Sequence, residues 1–398
     1  MQMWSGAVSG VAGESEQIAL CDRLSDFDRS FRQMSVTDDH AIAAVHIDTD
    51  AVAAVPTGLY DGSGGAALDR RADIDREVDS VVRSAPARTD GTKVEVCIGE
   101  KDDDPVFCIS DLLPHLGAKQ NAKTLAEGIT AEELNVIIAS LPIADKDAEQ
   151  RVKLNVLGML NEAYGITERD FTRAEIEVVP AHKARDIGLD RAMIGAYGHD
   201  DRVDAYPALM AEIETKTPAY TSVCVLTDKE ETGSDGVTGL NSMYTFHFLQ
   251  QLCAGQGADY ITACKAAKCL SADVTAAFDP TFADAFEPDN STYAGCGVAI
   301  YKYTGSRGKS GTSDASAEMV SYLTGLMDKN NVIWQIGEMG KLDLGGGGTV
   351  AKYVANQDID TIDIGVPVIS MHSPFEIVSK ADVYMAYLTF KAFCEDSE

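Results

Sequence analysis

Carboxylates and histidines follow, or close, apolar runs at five places along this 398-residue chain. Side chains of both kinds bind metal ions, and the five motifs contribute His46 and Asp48, then His199, Asp200 and Asp201, then Glu230 and Glu231, then Asp273, and finally His372 and Glu376. Carboxylate and imidazole ligands without a thiolate are typical of catalytic zinc, manganese or cobalt sites. If the motifs converge, they supply enough ligands for two ions, because one carboxylate can bridge metals about 3.5–4 Å apart.

The adjacent pair Glu230 and Glu231 is the most unusual of these motifs. It follows the apolar run at 222–226, which has the pattern of a buried strand. Two neighbouring carboxylates at a buried strand end repel each other unless they are solvated or a cation lies beside them. Each motif alone has a simpler explanation: a solvated loop for the Glu-Glu pair, a helix start for the Asp-Asp pair, and a core histidine for His372.

The order of apolar patterns favours an α/β fold. From residue 175 onward, strand-like runs alternate with amphipathic helical runs. We predict strands at 175–181, 221–228, 269–278, 295–303, 332–339 and 359–372, and helices at 200–214, 243–254, 260–268, 313–331, 345–357 and 380–393. This order predicts a mostly parallel central sheet covered by helices, with a ligand site beyond the carboxyl ends of the strands.

The pattern before residue 176 differs and predicts a second structural unit. Residues 93–99 and 104–110 are expected to form a hairpin across a charged turn, and residues 148–165 a helix. We therefore predict a catalytic domain made of residues 1–50 and 176–398. The predicted insertion, residues 51–175, is a mainly β subdomain for dimerisation or oligomerisation, and its first part, 51–90, is atypical.

The composition argues against several classes of protein. A net charge of −30 lacks the basic footprint of a nucleic-acid-binding protein. No run approaches the ~20 apolar residues of a transmembrane helix, and the N-terminus lacks the basic and apolar regions of a signal peptide. The nine cysteines include no Cys-x-x-Cys pair, which is typical of free thiols in a reducing compartment. We expect a cytoplasmic protein with neither a nucleic-acid partner nor a membrane.

Taken in order, the motifs resemble those of the aspartyl aminopeptidase family of di-zinc metallopeptidases, in its bacterial branch. The matching motifs are His-x-Asp at 46–48, Asp-Asp at 200–201, Asp-Lys-Glu-Glu-x-Gly-Ser at 228–234, Ser-Ala-Asp at 271–273 and Met-His-Ser at 371–373. The runs "GKSGTSDASAE" and "LGGGGTVAKYVAN" match as well. The resemblance covers residues 90–398 densely and residues 41–50 through one short motif.

The resemblance implies two zinc ions, for which manganese or cobalt could substitute. Asp200 would bridge the two ions, and a cis peptide bond would join it to Asp201. The remaining ligands would be His46 and Asp273 for the first ion, and Glu231 and His372 for the second.

The resemblance also implies a catalytic role for Glu230. It would be the general base that activates a metal-bridged water, while Asp48 would orient the ligand His46. Because adjacent side chains on an extended strand end point to opposite sides, Glu231 can hold a metal while Glu230 faces that water.

The substrates implied by the resemblance are peptides with an N-terminal Asp or Glu. Their side-chain carboxylate needs a cation, for which Lys302 and Lys309 are candidates, with Lys352 as another lysine after a four-glycine run. Any of these lysines could instead be a solvated surface residue. Within the glycine run, Gly347 would let the backbone approach the substrate. His199, beside the bridging aspartate, would either line the site or cap the following helix.

Two further hypotheses stand beside a di-zinc aminopeptidase that forms a homo-oligomer, possibly a dodecamer built from dimers. A deacylase or carboxypeptidase of the same metal architecture would need a separate lid domain, which residues 90–175 resemble poorly. A catalytically impaired relative retained for assembly is the other hypothesis. It is raised by a departure from the family, since Asp50 replaces an expected proline and no histidine lies between His46 and His115. A retained Glu230 argues against impairment.

Overall fold

Helices and mixed sheets make up the part of the chain that the structure describes. The computed structural model describes residues 80–84, 91–303, 305, 307 and 310–397. The α-helices are α1 (Ala118–Asn121), α2 (Arg151–Tyr164), α3 (His199–Glu214), α4 (Tyr244–Gln256), α5 (Tyr260–Ala266), α6 (Ala317–Lys329), α7 (Ala351–Ala355) and α8 (Lys380–Glu395). The strands are β1 (Ser80–Ser84), β2 (Val96–Ile98), β3 (Cys108–Ile109), β4 (Val136–Ile137), β5 (Ile176–Pro180), β6 (Arg185–Ile187), β7 (Met193–Ala196), β8 (Lys268–Ala272), β9 (Thr275–Ala276), β10 (Val298–Tyr301), β11 (Trp334–Ile336), β12 (Asp360–Gly365), β13 (Pro367–Ile369) and β14 (Glu376–Ser379). Among these described helices, none is long and apolar enough to cross a membrane.

The α/β class predicted from the sequence is confirmed, but the strands run in mixed directions. The two larger sheets have the orders β11-β10-β12-β8 and β6-β7-β14-β13-β9. Parallel pairing joins β8 to β12, β10 to β11 and β9 to β13, whereas β10–β12, β13–β14, β7–β14 and β6–β7 are antiparallel. The prediction of a mostly parallel sheet is therefore wrong. Short loops join β6 to β7 and β13 to β14, and such loops close antiparallel pairs, while parallel pairs need long crossovers.

Two neighbouring segments of the chain run through both of the larger sheets and bend at the same point. Strand β8 continues into β9, and its neighbour β12 continues into β13, so the hydrogen bonding passes through the bend: the Asp273 amide donates to the Ile364 carbonyl oxygen at 3.1 Å. Gly365 lies at this bend, and a Cβ atom there would lie only 1.8 Å from the carbonyl oxygen of Asp273. A glycine is therefore required for the two segments to approach this closely.

Most predicted elements after residue 175 are present, but the predicted strand at 221–228 is not. This segment forms no strand in the described residues. Its side chains alternate between half-buried and exposed, with Val223 and Val225 exposed, so the period-2 pattern is real. A strand also needs a neighbour for its backbone hydrogen bonds, and the described part of the chain places none beside it.

The predicted hairpin between residues 93–99 and 104–110 is also wrong. Strand β2 pairs with β1, and β3 pairs with β4. The intervening turn does form, because the Asp104 carboxylate accepts from the backbone amides of Gly99 and Lys101 at 3.1 and 3.2 Å. After this turn the chain leads away from β2, so the charged turn does not close a hairpin.

The region before residue 176 contains three short strands and one 14-residue helix in residues 91–175. The helix, α2, lies where it was predicted. At the predicted domain boundary, β5 pairs antiparallel with β1, in a three-stranded sheet of order β2-β1-β5. The division into a catalytic domain and an inserted subdomain remains a prediction.

A single apolar cluster joins the larger sheets to the helices α3, α6 and α8. Its most deeply buried members are Val203, Val298, Ile300, Met319, Leu323, Met327, Ile362, Ile364, Val366, Val368, Val378 and Val383. This cluster packs against the strand ends and the start of α3. Burial of such side chains contributes roughly 25 cal/mol for each Å² removed from water.

We predict that Leu323→Ala lowers the free energy of unfolding by about 3 kcal/mol. Leu323 is fully buried in this cluster, so truncation loses transfer free energy and leaves a cavity. Urea unfolding at fixed protein concentration measures the change. Leu189→Ala is the matched control, since Leu189 is fully exposed and its truncation should change stability by less than about 0.5 kcal/mol. Equal effects of the two variants would contradict the assigned core.

Candidate metal centre

Asp200, Glu231 and His372 offer metal-ligating atoms that lie within 4.8 Å of one another. The His372 Nε2 atom lies 2.9 Å from Asp200 Oδ2 and 3.2 Å from Glu231 Oε1. These three residues come from three separate motifs, the last of which lies 141 positions after Glu231, and the fold brings them to one point. One imidazole and two carboxylates are a ligand set that zinc takes in catalytic sites.

A second group consists of Asp200, Asp201 and Asp273, whose ligand atoms also lie within 4.8 Å of one another. Asp200 therefore belongs to both groups, as a bridging carboxylate would. The Oδ1 atom of Asp201 is buried and has no hydrogen-bond partner in the structure. A buried carboxylate oxygen without a partner is costly, and a bound cation would compensate it.

Local backbone structure brings each of these carboxylates to the cluster. Asp200 lies at the start of α3, and a cis peptide bond joins it to Asp201, as the resemblance implied. Asp273 lies at the bend between β8 and β9.

Glu230 and Glu231 lie in a 3-10 turn, Glu230–Thr232. The expectation that they end an extended strand is therefore wrong. They still point in different directions, because successive residues in a 3-10 turn are rotated by about 120°. Glu231 is exposed, while Glu230 is half-buried.

Glu376 contacts the backbone of two of the clustered residues. Its Oε2 atom accepts a hydrogen bond from the Asp200 amide at 3.0 Å, and its Oε1 atom accepts one from the His372 amide at 2.7 Å. Burial and the charge of Asp200 raise the pKa of Glu376 to about 7, and the two amide donors act against that rise. The sequence motif pointed to Glu376 without indicating this contact.

The carboxylates of the site are held in an environment that opposes their ionisation. Burial, followed by the charges of Glu231 and Asp200, raises the pKa of Glu230 to about 8, although His372 and Lys352 lower it. Burial and neighbouring carboxylates raise the pKa of Asp201 and of Asp273 well above the ordinary range. Without a cation, the folded chain therefore retains protons here that an unfolded chain would release.

His372 carries the compensating positive charge in the metal-free chain. Hydrogen bonds to Asp200 and Glu231 raise its pKa to about 12, although burial acts against this. The side chain is half exposed, at 52%, so a metal ion could replace its proton from the solvent side. A zinc ion would then bind the same nitrogen and the same carboxylate oxygens.

Thiols in this region are poor competitors as ligands. Burial raises the pKa of Cys224 to about 11 and that of Cys269 to about 12, so both remain protonated at neutral pH. Metals bind the thiolate form. The donors available in the described part of the site are oxygen and imidazole nitrogen, which fits zinc, with manganese and cobalt as alternatives.

A cavity of about 2160 Å³ gives access to the cluster. The clustered residues that line it are Asp200, Asp201, Glu230, Glu231, Asp273 and His372. It is also lined by β8 and by residues 221–227. Its walls are mainly apolar, so the charged cluster faces a largely apolar space.

The other residues predicted for the site have different outcomes. His46, Asp48 and Lys309 lie outside the described residues. Lys302 is exposed and does not line the cavity, since its Nζ atom forms an ion pair with Asp314 and donates to the Ala315 carbonyl oxygen at 2.8 Å.

Neither predicted role of His199 agrees with its position. Its ring is only 4% exposed and contacts the Ile194 carbonyl oxygen at 3.2 Å, so it neither lines the cavity nor caps the helix. Burial lowers its pKa to about 4, which keeps the ring neutral. Gly347 is half-buried, and a Cβ atom there would meet nothing within 4 Å, so no described neighbour requires a glycine.

The sequence interpretation missed Asp204, one helical turn after Asp200 and fully buried. Its Oδ2 atom accepts from the Val366 amide at 3.0 Å, while its Oδ1 atom has no partner. Burial raises its pKa to about 7, with a further contribution from Asp200. The four-residue spacing from Asp200 was a signal that could have identified it.

We predict that the metal-free protein loses stability as the pH rises from 7 to 9. In this window the folded chain retains protons on Glu230 up to about pH 8 and on His372 up to about pH 12. The unfolded chain has already released them at the ordinary values of 4.5 and 6.5. Stability falls with rising pH wherever the folded state binds more protons.

Urea unfolding at pH 7, 8 and 9, with and without zinc, measures this dependence. Zinc should remove the loss of stability, because it replaces the protons of the cluster. His372→Asn should reduce the pH dependence of the metal-free chain. A metal-free stability that rises between pH 7 and 9 would contradict the proposed charge balance.

Comparison with known proteins agrees with this geometry. The family model for aminopeptidase I zinc metalloproteases (M18) matches residues 64–394. A probable M18 family aminopeptidase 1 of Clostridium acetobutylicum is 46% identical over 312 residues, which are 77% of this chain and 67% of that protein.

Solved structures show the same similarity. The crystal structure of an M18 family aminopeptidase from Thermotoga maritima has a TM-score of 0.77 at 41% identity, covering 81% of this chain and 72% of that one. Aminopeptidase I from Clostridium acetobutylicum has a TM-score of 0.76 at 42% identity, covering 81% and 70%. Together with the ligand geometry, these matches show that the chain belongs to the M18 family of zinc aminopeptidases.

Proposed function

We propose that this M18 aminopeptidase hydrolyses N-terminal residues, preferably Asp and Glu, from peptides, with Glu230 as its general base. The observation that carries the proposal is the position of Asp200. Its carboxylate belongs to both ligand groups, and both groups line the cavity that also contains Glu230. A shared carboxylate between two ligand sets is the arrangement of a two-metal hydrolase.

We assign two zinc ions to the site as follows. Glu231 and His372 would hold one ion with Asp200, and Asp273 would hold the other with Asp200. His46 would complete the second set, oriented by Asp48, as the resemblance implies. When bound, the ions supply Lewis-acid polarisation of the scissile carbonyl and lower the pKa of a water.

Glu230 is suited to move the proton during hydrolysis. Its half-buried carboxylate has its pKa raised to about 8 in the metal-free chain, and cations beside it would lower that value toward neutrality. A base with a pKa near the working pH can take the proton of the attacking water and return it to the leaving amine. One side chain, Glu230, would then carry the proton from the water to the leaving amine.

We predict that Glu230→Gln lowers kcat by at least about 100-fold while zinc content is unchanged. The amide keeps the shape of the side chain but cannot accept a proton, and general-base catalysis contributes about 10²–10⁴-fold. Hydrolysis of Asp-p-nitroanilide and metal content per chain measure both quantities. Glu318→Gln, at an exposed position on α6, is the control and should remain active. Retained activity in Glu230→Gln would refute the assignment.

The preference for acidic N-termini requires a cation near Glu230, and Lys352 is the better candidate. Neither lysine is among the residues that line the cavity, but Lys352 is close enough to Glu230 to lower its pKa, and Lys302 is engaged by Asp314. The Tyr353 hydroxyl donates to the Gly233 carbonyl oxygen at 3.0 Å, which holds α7 against the turn that carries Glu230. We assign the contact with the substrate carboxylate to Lys352.

We predict that Lys352→Met lowers kcat/KM for Asp-p-nitroanilide about 10- to 100-fold, because a charge-assisted hydrogen bond contributes ~1.5–3 kcal/mol. Hydrolysis of Leu-p-nitroanilide should change less than about two-fold. Lys302→Met is the matched comparison and should leave the preference intact. If Lys302→Met alone abolishes the preference, Lys302 is the pocket lysine, and if wild type prefers Leu, the acidic preference is wrong.

We also propose that the chain forms homo-oligomers and works in the cytoplasm. Several large apolar side chains between residues 112 and 141 are exposed in the single chain, namely Leu112, Leu113, Leu116, Ile137, Ile138 and Leu141. Exposed apolar groups of this number are typical of protein interfaces. A dodecamer built from dimers remains a prediction.

A further inference from the structure

Glu376 joins two segments that are far apart in the sequence and adjacent in the site. One carboxylate oxygen accepts from the amide of Asp200, 176 positions earlier, and the other accepts from the amide of His372. The residue is only 2% exposed, so these bonds are shielded from water. Two hydrogen bonds to one ionised carboxylate are stronger than bonds between neutral groups.

The second of these bonds supports a strained backbone conformation. His372 has a φ angle of +64°, in the left-handed region, which is strained for a residue with a Cβ atom. The loop between β13 and β14 must hold this conformation if the imidazole is to face Asp200 and Glu231. The bond from the His372 amide to Glu376 fixes the peptide plane on one side of that φ angle.

The carboxylate itself is anchored on a rigid element. Glu376 is the first residue of β14, where it lies opposite Ala196 in the antiparallel pairing of β14 with β7. The chain leaves β7 immediately after Ala196 and reaches Asp200 four residues later. The sheet therefore fixes the position of Glu376, and Glu376 fixes the two backbones that carry ligands.

We propose that Glu376 is a positioning residue for the metal centre. It holds the backbones of Asp200 and His372 at the positions from which their side chains meet. It offers its oxygens to backbone amides, so it acts through the two ligand residues rather than on the substrate. This inference rests on the proposed function, in which Asp200 and His372 bind zinc. Residues that orient ligands commonly change metal affinity or activity about 10- to 100-fold when replaced.

The chain offers a matched control for a buried carboxylate of this kind. Asp382, at the start of α8, is fully buried and accepts from the amides of Gly295 and Gly297 at 2.6 and 2.8 Å. Like Glu376, it therefore accepts hydrogen bonds from two backbone amides, but these belong to residues outside the metal cluster. Glu376→Gln and Asp382→Asn each replace one acceptor oxygen by an amide group that opposes a backbone donor.

The experiment compares these two variants with wild type in the full chain. Zinc affinity is measured by competition with a chelator, and hydrogen exchange by mass spectrometry on the metal-free protein. We expect Glu376→Gln to weaken zinc binding about 10- to 100-fold and to speed exchange in peptides containing Asp200 and His372. Its kcat should fall while KM changes less than about two-fold, because Glu376 does not touch the substrate. Asp382→Asn should speed exchange near Gly295 and leave zinc affinity within about two-fold of wild type.

Three outcomes would count against the proposal or its basis. Zinc affinity and exchange in Glu376→Gln that match wild type would overturn it. Equal losses of zinc affinity in both variants would also overturn it, because they would indicate general destabilisation. If wild type binds no zinc, the proposed function fails instead, and the exchange rates of the metal-free protein still decide whether Glu376 holds the two backbones.

Discussion

Repulsion among carboxylates that share one buried site is the constraint on which this structure depends. Asp200, Asp201, Asp273 and Glu230 line one cavity, and each has a raised pKa because burial and neighbouring carboxylates oppose ionisation. In the metal-free chain, the positive charge of His372 and retained protons offset this repulsion. Cations would offset it more completely, since a divalent ion removes both the repulsion and the need for protons. The folded site therefore depends on positive charge, supplied by His372 and retained protons or by bound cations.

The fold keeps this repulsive group together by placing its members on rigid elements. The bent strands position Asp273, the start of α3 positions Asp200, and the apolar cluster packs against both elements. His372 and the Glu230 turn lie in loops, which have fewer backbone hydrogen bonds to neighbours. Contacts such as that of Glu376 with the His372 amide supply the missing order. Rigidity at such positions matters, because metal ligands must keep their geometry to within a fraction of an ångström.

The motifs and the apolar patterns carried different kinds of information. Carboxylates and histidines after apolar runs carry a chemical signal, and four residues chosen on it, Asp200, Glu231, Asp273 and His372, belong to the two groups of neighbouring ligand atoms. Strand direction carries no such signal, which is why a mixed sheet was taken for a mostly parallel one. The segment at 221–228 has the alternation of a strand, but alternation reports side-chain environment and not backbone partners. For a similar reason, a pattern cannot show that Lys302 pairs with Asp314 or that His199 is buried.

Gly365 shows how a residue without a side chain can control this chemistry. A Cβ atom at this position would meet the Asp273 carbonyl oxygen at 1.8 Å and the Asp204 carboxylate at 2.7 Å. Even an alanine would therefore push apart the two segments at the bend and move Asp273 with them. In a random mutagenesis screen, substitutions here would reduce activity and would resemble the loss of a catalytic group. Interpreting such a screen for this enzyme requires separating residues that react from residues that leave room for them.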